Sequence, residues 1–316
     1  MKAVQFSEHG PAEVLQLVEL PTPQPRTGEV LVKVAAAGVN YADVLQRKGT
    51  YPVPVTLPYV TGYEVVGVIE SVGPDVTQRQ PGQRIAALIQ SGGYAEYALV
   101  PAAQAIPLPD GLGDAEATAL LVQGMTAVGL LRTGAYASVL VLAAAGGVGS
   151  VLVQIAKNQG KRVVAAVGSE AKKASVLDFG ADAVVSYADA DWVDQVLRAT
   201  DGQGVAVAFD AVGGVVGNGA LRTLAAGGTL VVYGAASGEP TMVAGQQLIS
   251  KVQAVRGYTL FADADKFGEY VGELFGYLQA GKLQLPVQTY SFAEVQTAHR
   301  AMESRQTQGK VALLFG

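Results

Sequence analysis

Residues 138–157 (SVLVLAAAGGVGSVLVQIAK) combine an apolar run, a tight glycine turn and a helical pattern that starts at once. Aligned on the pattern G-x-G-x-x-G, Ala144 replaces the first glycine, and Gly146 and Gly149 hold the other two places. Gly146 would let the backbone approach a pyrophosphate, and Gly149 would let the helix pack closely on the strand. The phosphates would then meet the N–H groups at the amino terminus of the helix. The pattern predicts a dinucleotide site; the alternative is a tight strand-to-helix turn that binds nothing.

The end of the second predicted strand should decide which dinucleotide is bound. About 20 residues after the glycine turn, an NAD site places an acidic residue on the ribose 2′-hydroxyl. Gly168 and Ser169 stand at that place here, and Lys172 and Lys173 follow within one helical turn. A small residue with a cation nearby suits a 2′-phosphate and favours NADPH. Glu170 complicates this interpretation, and the two lysines could instead form an ordinary solvated helix face.

These residues lie in a segment where strands alternate with helices. The β-branched runs are residues 139–142, 162–167, 183–186, 205–210, 229–233 and 252–256. The helical stretches between them are residues 150–158, 170–179, 191–199, 217–224 and 245–249. Six strands with crossover helices predict an α/β fold with a doubly wound parallel sheet. Val212, Tyr233 and Gly234 follow the fourth and fifth strands, at the edge where such a sheet binds its ligand.

The first part of the chain has a different texture, with short strands separated by proline and glycine. Residues 28–34, 64–72 and 93–100 are predicted as strands of an antiparallel, barrel-like domain that extends to about residue 109. A helix is predicted at residues 116–131, with Asp114 as its N-cap. Two further helices are predicted at residues 264–280 and 292–302, the second capped by Ser291. The final strand, residues 310–315, resembles the first part of the chain, which predicts that the chain returns to its starting domain.

Composition narrows the function classes. The length of 316 residues predicts two domains, and the net charge of -5 argues against nucleic acid as the main partner. With no cysteine and only two histidines, a thiolate-bound metal is excluded and a histidine-built metal site is not expected. The longest apolar run, residues 139–149, is far shorter than a membrane-spanning helix. No signal peptide is evident at the start, and we expect a cytoplasmic protein.

Several motifs resemble the quinone oxidoreductase (zeta-crystallin-like) group of the zinc-independent medium-chain dehydrogenase/reductases. The resemblance starts from A-A-G-G-V-G-x4-Q-x2-K at residues 144–157 and covers essentially the whole chain. The other matching blocks are residues 36–52, 57–73, 92–97 and 304–314. Zinc-containing relatives place a cysteine where Asn40 stands and a histidine where Tyr63 stands, so both metal ligands are missing here. The resemblance implies a GroES-like β-barrel domain from residues 1–122 and 263–316, with a Rossmann domain inserted at residues 123–262.

The resemblance also implies which residues contact the cofactor in the cleft between those domains. Asn40 and Thr126 would line the nicotinamide end, and Gly146, Gly147 and Val148 the pyrophosphate. The residues that match the family's contacts to the adenosine 2′-phosphate are Ser169, Lys172, Tyr187 and Arg305. Arg305 comes from the opposite end of the chain and supports NADPH independently.

Catalytic residues are harder to place from the sequence. Hydride transfer depends mostly on positioning and on the exclusion of water. Besides Asn40, Tyr51 matches the tyrosine of the family's G-x-Y-P block and could donate a hydrogen bond to a substrate oxygen. Asp43 and Glu64 are expected only to organise that wall, and His299 to be structural or solvated.

The implied function is NADPH-dependent, metal-free reduction of a quinone. One alternative is reduction of the C=C bond of an α,β-unsaturated aldehyde or ketone. Another is a non-catalytic NADPH-binding role, crystallin-like or RNA-associated, although the chain has no basic stripe. The last strand of the parallel sheet, residues 252–256, is expected at a sheet edge, where it would pair with a second copy in a homodimer.

Overall fold

The computed structural model describes every residue of the chain, 1–316. The residues pack into two units: unit 1 consists of Met1–Val122 and Pro286–Gly316, and unit 2 of Gln123–Leu285. The inserted unit continues to Leu285, beyond the predicted boundary at residue 262. Two amide side chains hold this additional stretch in unit 2: Gln154 donates to the carbonyl of Gln284 at 2.9 Å, and Asn158 donates to that of Lys282 at 2.7 Å.

The amino-terminal part of unit 1 forms eight strands and two helices. The strands are β1 (Lys2–Phe6), β2 (Gln16–Glu19), β3 (Glu29–Val39), β4 (Tyr59–Val60), β5 (Glu64–Val72), β6 (Arg84–Leu88), β7 (Tyr97–Pro101) and β8 (Ile106–Pro107). The helices are α1 (Tyr41–Lys48) and α2 (Asp114–Ala119).

Unit 2 contributes six strands and seven helices. The strands are β9 (Ser138–Leu142), β10 (Arg162–Val167), β11 (Ala183–Ser186), β12 (Val205–Asp210), β13 (Leu224–Val232) and β14 (Ala254–Gly257). The helices are α3 (Thr126–Leu131), α4 (Gly147–Asn158), α5 (Lys173–Asp178), α6 (Trp192–Ala199), α7 (Gly214–Arg222), α8 (Gly245–Ile249) and α9 (Phe267–Gln279). The chain then returns to unit 1 with β15 (Val287–Ser291), α10 (Val295–Glu303) and β16 (Lys310–Leu314).

The main sheet of unit 1 is built around the long strand β3. β3 pairs antiparallel with β5, β16 and β7, and the sheet has the order β15-β16-β3-β5-β6-β8 with β7 added to β3. Alternation decides which face is buried: Val30, Val32 and Val34 enter the core, while Lys33 between them is exposed. Two register irregularities in the β3–β5 ladder bend the strand. Because the tail strand β16 pairs with β3, the predicted return of the chain to its first domain is confirmed.

Unit 2 contains the predicted doubly wound sheet. All six strands are parallel and have the order β11-β10-β9-β12-β13-β14, which is the 3-2-1-4-5-6 order of dinucleotide-binding folds. Residues 139–142 of the central strand β9 are all 0% exposed, as expected for a strand covered by helices on both faces. The order reverses between β9 and β12, and ligands bind at the carboxyl ends of strands at such a reversal.

The single helix predicted at residues 116–131 is wrong, because the structure interrupts it. Regular α-helix ends at Ala119 and resumes at Thr126, and Leu121 between them has non-helical angles (φ -71°, ψ -106°). The cause is a tertiary contact: the N–H of Val122 donates to Oε2 of Glu64 at 3.1 Å. Asp114 is also not the N-cap, since its carboxylate accepts from Nε of Arg84 at 2.6 Å and Gly113 holds the cap position.

Two strands begin later in the structure than the sequence predicts. The strand predicted from residue 93 begins at Tyr97, because Gly93 and Tyr94 turn against Gly62 and Thr61 through backbone hydrogen bonds of 3.1 and 2.9 Å. The strand predicted from residue 252 begins at Ala254, because Val252 has a φ of 53°, outside the extended region.

Ser291 is the N-cap of a short 3-10 turn at Phe292–Glu294, and its hydroxyl and N–H both donate to Glu294. The α-helix predicted from residue 292 begins only at Val295, with Glu294 at its cap position. None of the helices is both long and apolar enough to cross a membrane.

Candidate functional site

The glycine turn between β9 and α4 has the geometry that its sequence predicts. Ala143 turns the chain with a φ of 50°, and Gly146 is the extended N-cap residue of α4. A side chain at Gly149 would collide with the carbonyl oxygen of Ala143, so only glycine lets the helix lie this close to the strand. No side chain caps α4, and the N–H groups of its first turn have no partner within the helix. The turn is therefore built like an anion site at a helix amino terminus.

The other predicted residues of unit 2 lie at the same edge of the sheet. Ser169 follows β10, Tyr187 follows β11, Val212 follows β12, and Tyr233 and Gly234 follow β13. Because these strands are neighbours and parallel, the structure brings their carboxyl ends to one edge together with the glycine turn. Thr126 is the first residue of α3, after the interrupted segment, and is buried.

Two of these residues, Val212 and Tyr233, do not present freely exposed side chains to a ligand. Val212 is 4% exposed and belongs to the apolar core of unit 2, so only its backbone can face a ligand. Its N–H and that of Gly213 donate to Asp210 at 2.8 and 2.9 Å, which fixes the loop after β12. Tyr233 is partly buried, and burial together with the nearby Asp210 raises the pKa of its phenol. A neutral Tyr233 hydroxyl at this edge can only donate or accept a hydrogen bond.

The end of β10 carries no acidic side chain at the position where an NAD site would place one, since Gly168 and Ser169 stand there. A Cβ added at Gly168 would lie 2.9 Å from the hydroxyl of Tyr187, so the tyrosine occupies the space that an aspartate or glutamate at this position would need. Glu170, the acid one residue beyond Ser169, forms an ion pair with Lys173 at 2.8 Å. Lys172 is half-buried, and burial lowers the pKa of its ammonium group. Lys172 and Lys173 therefore have different surroundings in the structure, although the sequence did not distinguish them.

In unit 1, Asn40 lies at the junction of β3 and α1 and is 5% exposed. Its Nδ2 donates to Oε1 of Glu64 at 2.7 Å, and Nζ of Lys310 donates to its Oδ1 at 3.2 Å. Its backbone N–H donates to Oδ2 of Asp43 at 2.8 Å. Asn40 is thus held on three sides by buried charged groups.

Asp43 is the centre of a second buried cluster behind α1. Its carboxylate accepts hydrogen bonds from the hydroxyls of Thr61 at 2.9 Å and Tyr94 at 3.1 Å. Burial raises the pKa of Asp43 to about 6, although the hydrogen bonds it accepts oppose this shift. Beyond Tyr94 lies His299, whose ring meets the tyrosine edge to face at 6.0 Å. Burial and the nearby Arg47 lower the pKa of His299 to about 3, so it is neutral and structural, as predicted.

Tyr51 follows α1 in a bend and is partly exposed. It lies near Tyr59 and Tyr63. Burial raises the phenol pKa values of Tyr59 and Tyr63, and the nearby Asp43 and Tyr51 raise them further. The hydroxyl of Tyr59 donates to the carbonyl of Gln90 at 3.4 Å. Arg305 is exposed just after α10 with a φ of 58°, a left-handed conformation that favours glycine.

Sequence reasoning missed Lys310, Arg47 and Tyr94. Lys310 is 1% exposed in a strand that otherwise reads as apolar (KVALL), and a lysine in such a strand is the one local signal that could have pointed to a buried ion pair. Arg47 is wholly buried and pairs with Glu303 at 2.9 Å. No group of three or more acidic or histidine side chains is arranged to hold a metal ion.

The fold and the glycine turn define a dinucleotide-dependent dehydrogenase or reductase, and comparison with known proteins agrees. A model described as "Alcohol dehydrogenase GroES-like domain" matches residues 26–110, and one described as "Zinc-binding dehydrogenase" matches residues 147–275. A quinone oxidoreductase of Salmonella typhimurium is 34% identical over 98% of each chain. The chain belongs to the quinone oxidoreductase group of the medium-chain dehydrogenase/reductase superfamily.

Solved structures show the same similarity. The crystal structure of Escherichia coli quinone oxidoreductase complexed with NADPH has a TM-score of 0.94 and 32% identity, and covers 100% of both chains. A mycobacterial protein complexed with NADPH has a TM-score of 0.94 and 36% identity over 100% of both chains.

Proposed function

We propose that this protein is an NADPH-dependent quinone oxidoreductase that needs no metal. The ends of β10 and β11 carry the coenzyme assignment, because Gly168 and Ser169 stand where an NAD site places an acid and the Tyr187 hydroxyl lies 2.9 Å from the position of a Cβ at Gly168. The quinone class is proposed from the relatives, which are named quinone oxidoreductases and resemble this chain over its whole length.

The residues of unit 2 fit NADPH in two places. The uncapped first turn of α4, with Gly146, Gly147 and Val148, offers backbone N–H groups to the pyrophosphate. Ser169, Lys172 and Tyr187 offer a hydroxyl, an ammonium group and a phenol to the 2′-phosphate. Lys172 is the lysine that matches the family's 2′-phosphate contact, and Lys173 pairs with Glu170 at 2.8 Å.

Arg305 is the fourth proposed contact to the 2′-phosphate. A left-handed conformation costs an ordinary residue about 1 kcal/mol, and glycine would avoid that cost. This conformation ends α10, since the N–H of Gln306 donates back to the carbonyl of Ala301 and that of Arg305 to the carbonyl of Met302. The binding role of Arg305 is therefore proposed from the family resemblance alone.

At the reacting end, the proposed roles are positioning and hydrogen bonding. NADPH, when bound, supplies the hydride. Asn40 and Thr126 would hold the nicotinamide end, with the Asn40 amide fixed by its buried neighbours. Tyr51 would donate a hydrogen bond to a substrate oxygen.

The coenzyme assignment is tested by exchanging the two lysines separately. Lys172→Ala should raise the Kd for NADPH at least 10-fold and leave the Kd for NADH within about 2-fold, since a charge-assisted hydrogen bond contributes about 1.5–3 kcal/mol. Lys173→Ala is the matched control and should change neither Kd. Fluorescence titration gives both constants. Equal losses for the two coenzymes, or equal effects of the two lysines, would reject the assignment.

The substrate class is tested with a panel of quinones and enones. We expect NADPH oxidation with quinones. Turnover with enones and with no quinone would assign the protein to C=C reduction. Binding of NADPH without oxidation across the whole panel would indicate a non-catalytic role.

We further propose a homodimer through β14. This strand is the exposed edge of the six-stranded sheet, and Val252 and Val255 beside it are 80% and 40% exposed. An exposed strand edge invites pairing, and a second copy related by two-fold symmetry would cover it.

Val255→Lys should convert the dimer to a monomer in sedimentation velocity at micromolar concentration, since an edge lysine blocks strand pairing. Val68→Lys on β5 is the control, because Val68 is also 40% exposed. A monomeric wild-type protein would refute the proposal. A cytoplasmic location also stays a prediction, to be tested by cell fractionation.

A further inference from the structure

A buried ion pair lies beside Asn40 in unit 1. The side chains of Glu64 and Lys310 are 0% and 1% exposed, and Nζ of Lys310 donates to Oε1 of Glu64. The pair packs over Gly38, where an added Cβ would come within 2.6 Å of Cε of Lys310. Replacing a buried ion pair by apolar residues is often neutral or stabilising. Stability alone therefore does not account for this pair in a chain with only 16% charged residues.

The ion pair determines which way the Asn40 amide is oriented, because the amide oxygen and the amide nitrogen need different partners. A carboxylate only accepts hydrogen bonds and an ammonium group only donates them. Nδ2 of Asn40 therefore faces Glu64 at 2.7 Å, and Oδ1 faces Lys310 at 3.2 Å. The flipped amide would place oxygen against the carboxylate and NH₂ against the ammonium group. The two charges therefore favour one of the two orientations of the Asn40 amide and exclude the other.

Both charged residues also hold the backbone around Asn40. Nζ of Lys310 donates to the carbonyl of Val39 at 3.2 Å, which fixes the residue before Asn40. Oε2 of Glu64 accepts the N–H of Val122 at 3.1 Å, at the interruption between α2 and α3. Glu64 therefore uses one oxygen for Asn40 and Lys310 and the other for Val122.

We propose that Glu64 and Lys310 are positioning residues that fix the direction of the Asn40 carboxamide and, through it, the turnover rate. The link between the Asn40 amide and turnover rests on the proposed function, in which Asn40 contacts the nicotinamide end. The two residues act through Asn40 and touch neither coenzyme nor substrate in this proposal.

Glu64→Gln is the first test. The glutamine has one acceptor oxygen where the carboxylate has two, so it cannot accept from Asn40 and Val122 with separate oxygens. We expect kcat to fall on the order of 100-fold, as for a misplaced positioning group. The Kd for NADPH should stay within about 2-fold, because the proposed phosphate contacts are elsewhere. Glu70→Gln, an exposed acid on the same strand β5, is the control and should keep wild-type kcat.

Lys310→Met should lower kcat in the same way. If this single change leaves Glu64 unpaired and prevents folding, the charge-free double variant Glu64→Gln/Lys310→Met keeps the test available, since it buries no unpaired charge. A folded double variant with wild-type kcat would overturn the proposal.

A double-mutant cycle separates positioning from a general structural role. If Glu64 acts through Asn40, Glu64→Gln should cause no further loss of kcat in an Asn40→Ala background. A loss of the same size in both backgrounds would overturn the proposal, because it would show that Glu64 acts independently of the amide.

A second readout does not need activity. The chain has three asparagines, Asn40, Asn158 and Asn218, so selective ¹⁵N labelling gives three side-chain amide pairs. We expect the Asn40 pair to exchange slowly with water, and Glu64→Gln to shift it and speed its exchange while the other two stay unchanged. An unchanged Asn40 pair would overturn the proposal. If the wild-type protein reduces no acceptor but the Asn40 pair responds in this way, the proposed function fails and the positioning by Glu64 stands.

Discussion

Replacement of His299 by glutamine should change how the stability of unit 1 depends on pH. His299 is 0% exposed, and its pKa is lowered from 6.5 to about 3 in the folded protein. The unfolded chain therefore binds a proton at His299 below about pH 6.5, whereas the folded protein does not. Acidification through this window favours the unfolded state, and the stability present above pH 6.5 is progressively lost down to the folded pKa.

The size of the loss follows from the two pKa values. Between pH 8 and pH 4.5, His299 alone should lower the free energy of unfolding by about 3 kcal/mol, since folded and unfolded pKa values are about 3 and 6.5. His299→Gln removes this titration, so its stability should fall less over the same interval. The difference in free energy of unfolding between variant and wild type at each pH cancels the contributions of the titrating groups that both proteins share.

The assay must report on unit 1. The single tryptophan, Trp192, lies in unit 2, so its fluorescence does not serve. Hydrogen exchange of the β5 amides in increasing urea, measured at pH 8, 6 and 4.5, reports on the unit that contains His299. If wild type and His299→Gln lose stability in parallel from pH 8 to pH 4.5, the reasoning about the buried neutral imidazole is refuted.

Three further outcomes are expected. Asp43→Asn should remove an opposite pH dependence: the pKa of Asp43 is raised to about 6, so wild-type unit 1 loses stability as pH rises from about 4 to 6, and urea titrations of the variant should lack this loss. Gly149→Ala should destabilise unit 2 by about 2 kcal/mol or more, because its Cβ would collide with the backbone of residues 143 and 144; an unchanged Tm would contradict this. Arg305→Gly should stabilise unit 1 by about 1 kcal/mol in hydrogen exchange while weakening NADPH binding in titration; a gain or a loss in both would argue against a strained binding residue.

Local sequence signals were sufficient for the parallel sheet of unit 2. Strands β10, β11 and β12 have the predicted bounds, because a buried parallel strand is a continuous β-branched run between helical stretches. The glycine turn was predictable for a similar reason, since each glycine there meets a requirement set by residues within six positions. The proposed 2′-phosphate site was predictable only in part: the missing acid is visible in the sequence, but the proximity of Tyr187 to Gly168 joins two strands.

Elements that depend on distant residues were not predictable. The interruption after α2 follows from a hydrogen bond between Val122 and Glu64, 58 positions apart, and no helix propensity records such a bond. The insertion ends at Leu285 because α9 packs in unit 2, with Glu269 and Glu273 bound to Arg132 at 2.6 and 2.7 Å. An amphipathic pattern predicts a helix but not the surface on which it packs.

The doubly wound sheet and its glycine turn follow from local properties of the sequence, because strand periodicity and turn chemistry depend on neighbouring residues. The way in which Asn40 is held depends instead on contacts between distant residues. Glu64 and Lys310 reach it from 24 and 270 positions away. The sequence does not indicate that the lysine in one strand pairs with the glutamate at the start of another. Their pairing exists only once β3, β5 and β16 lie side by side.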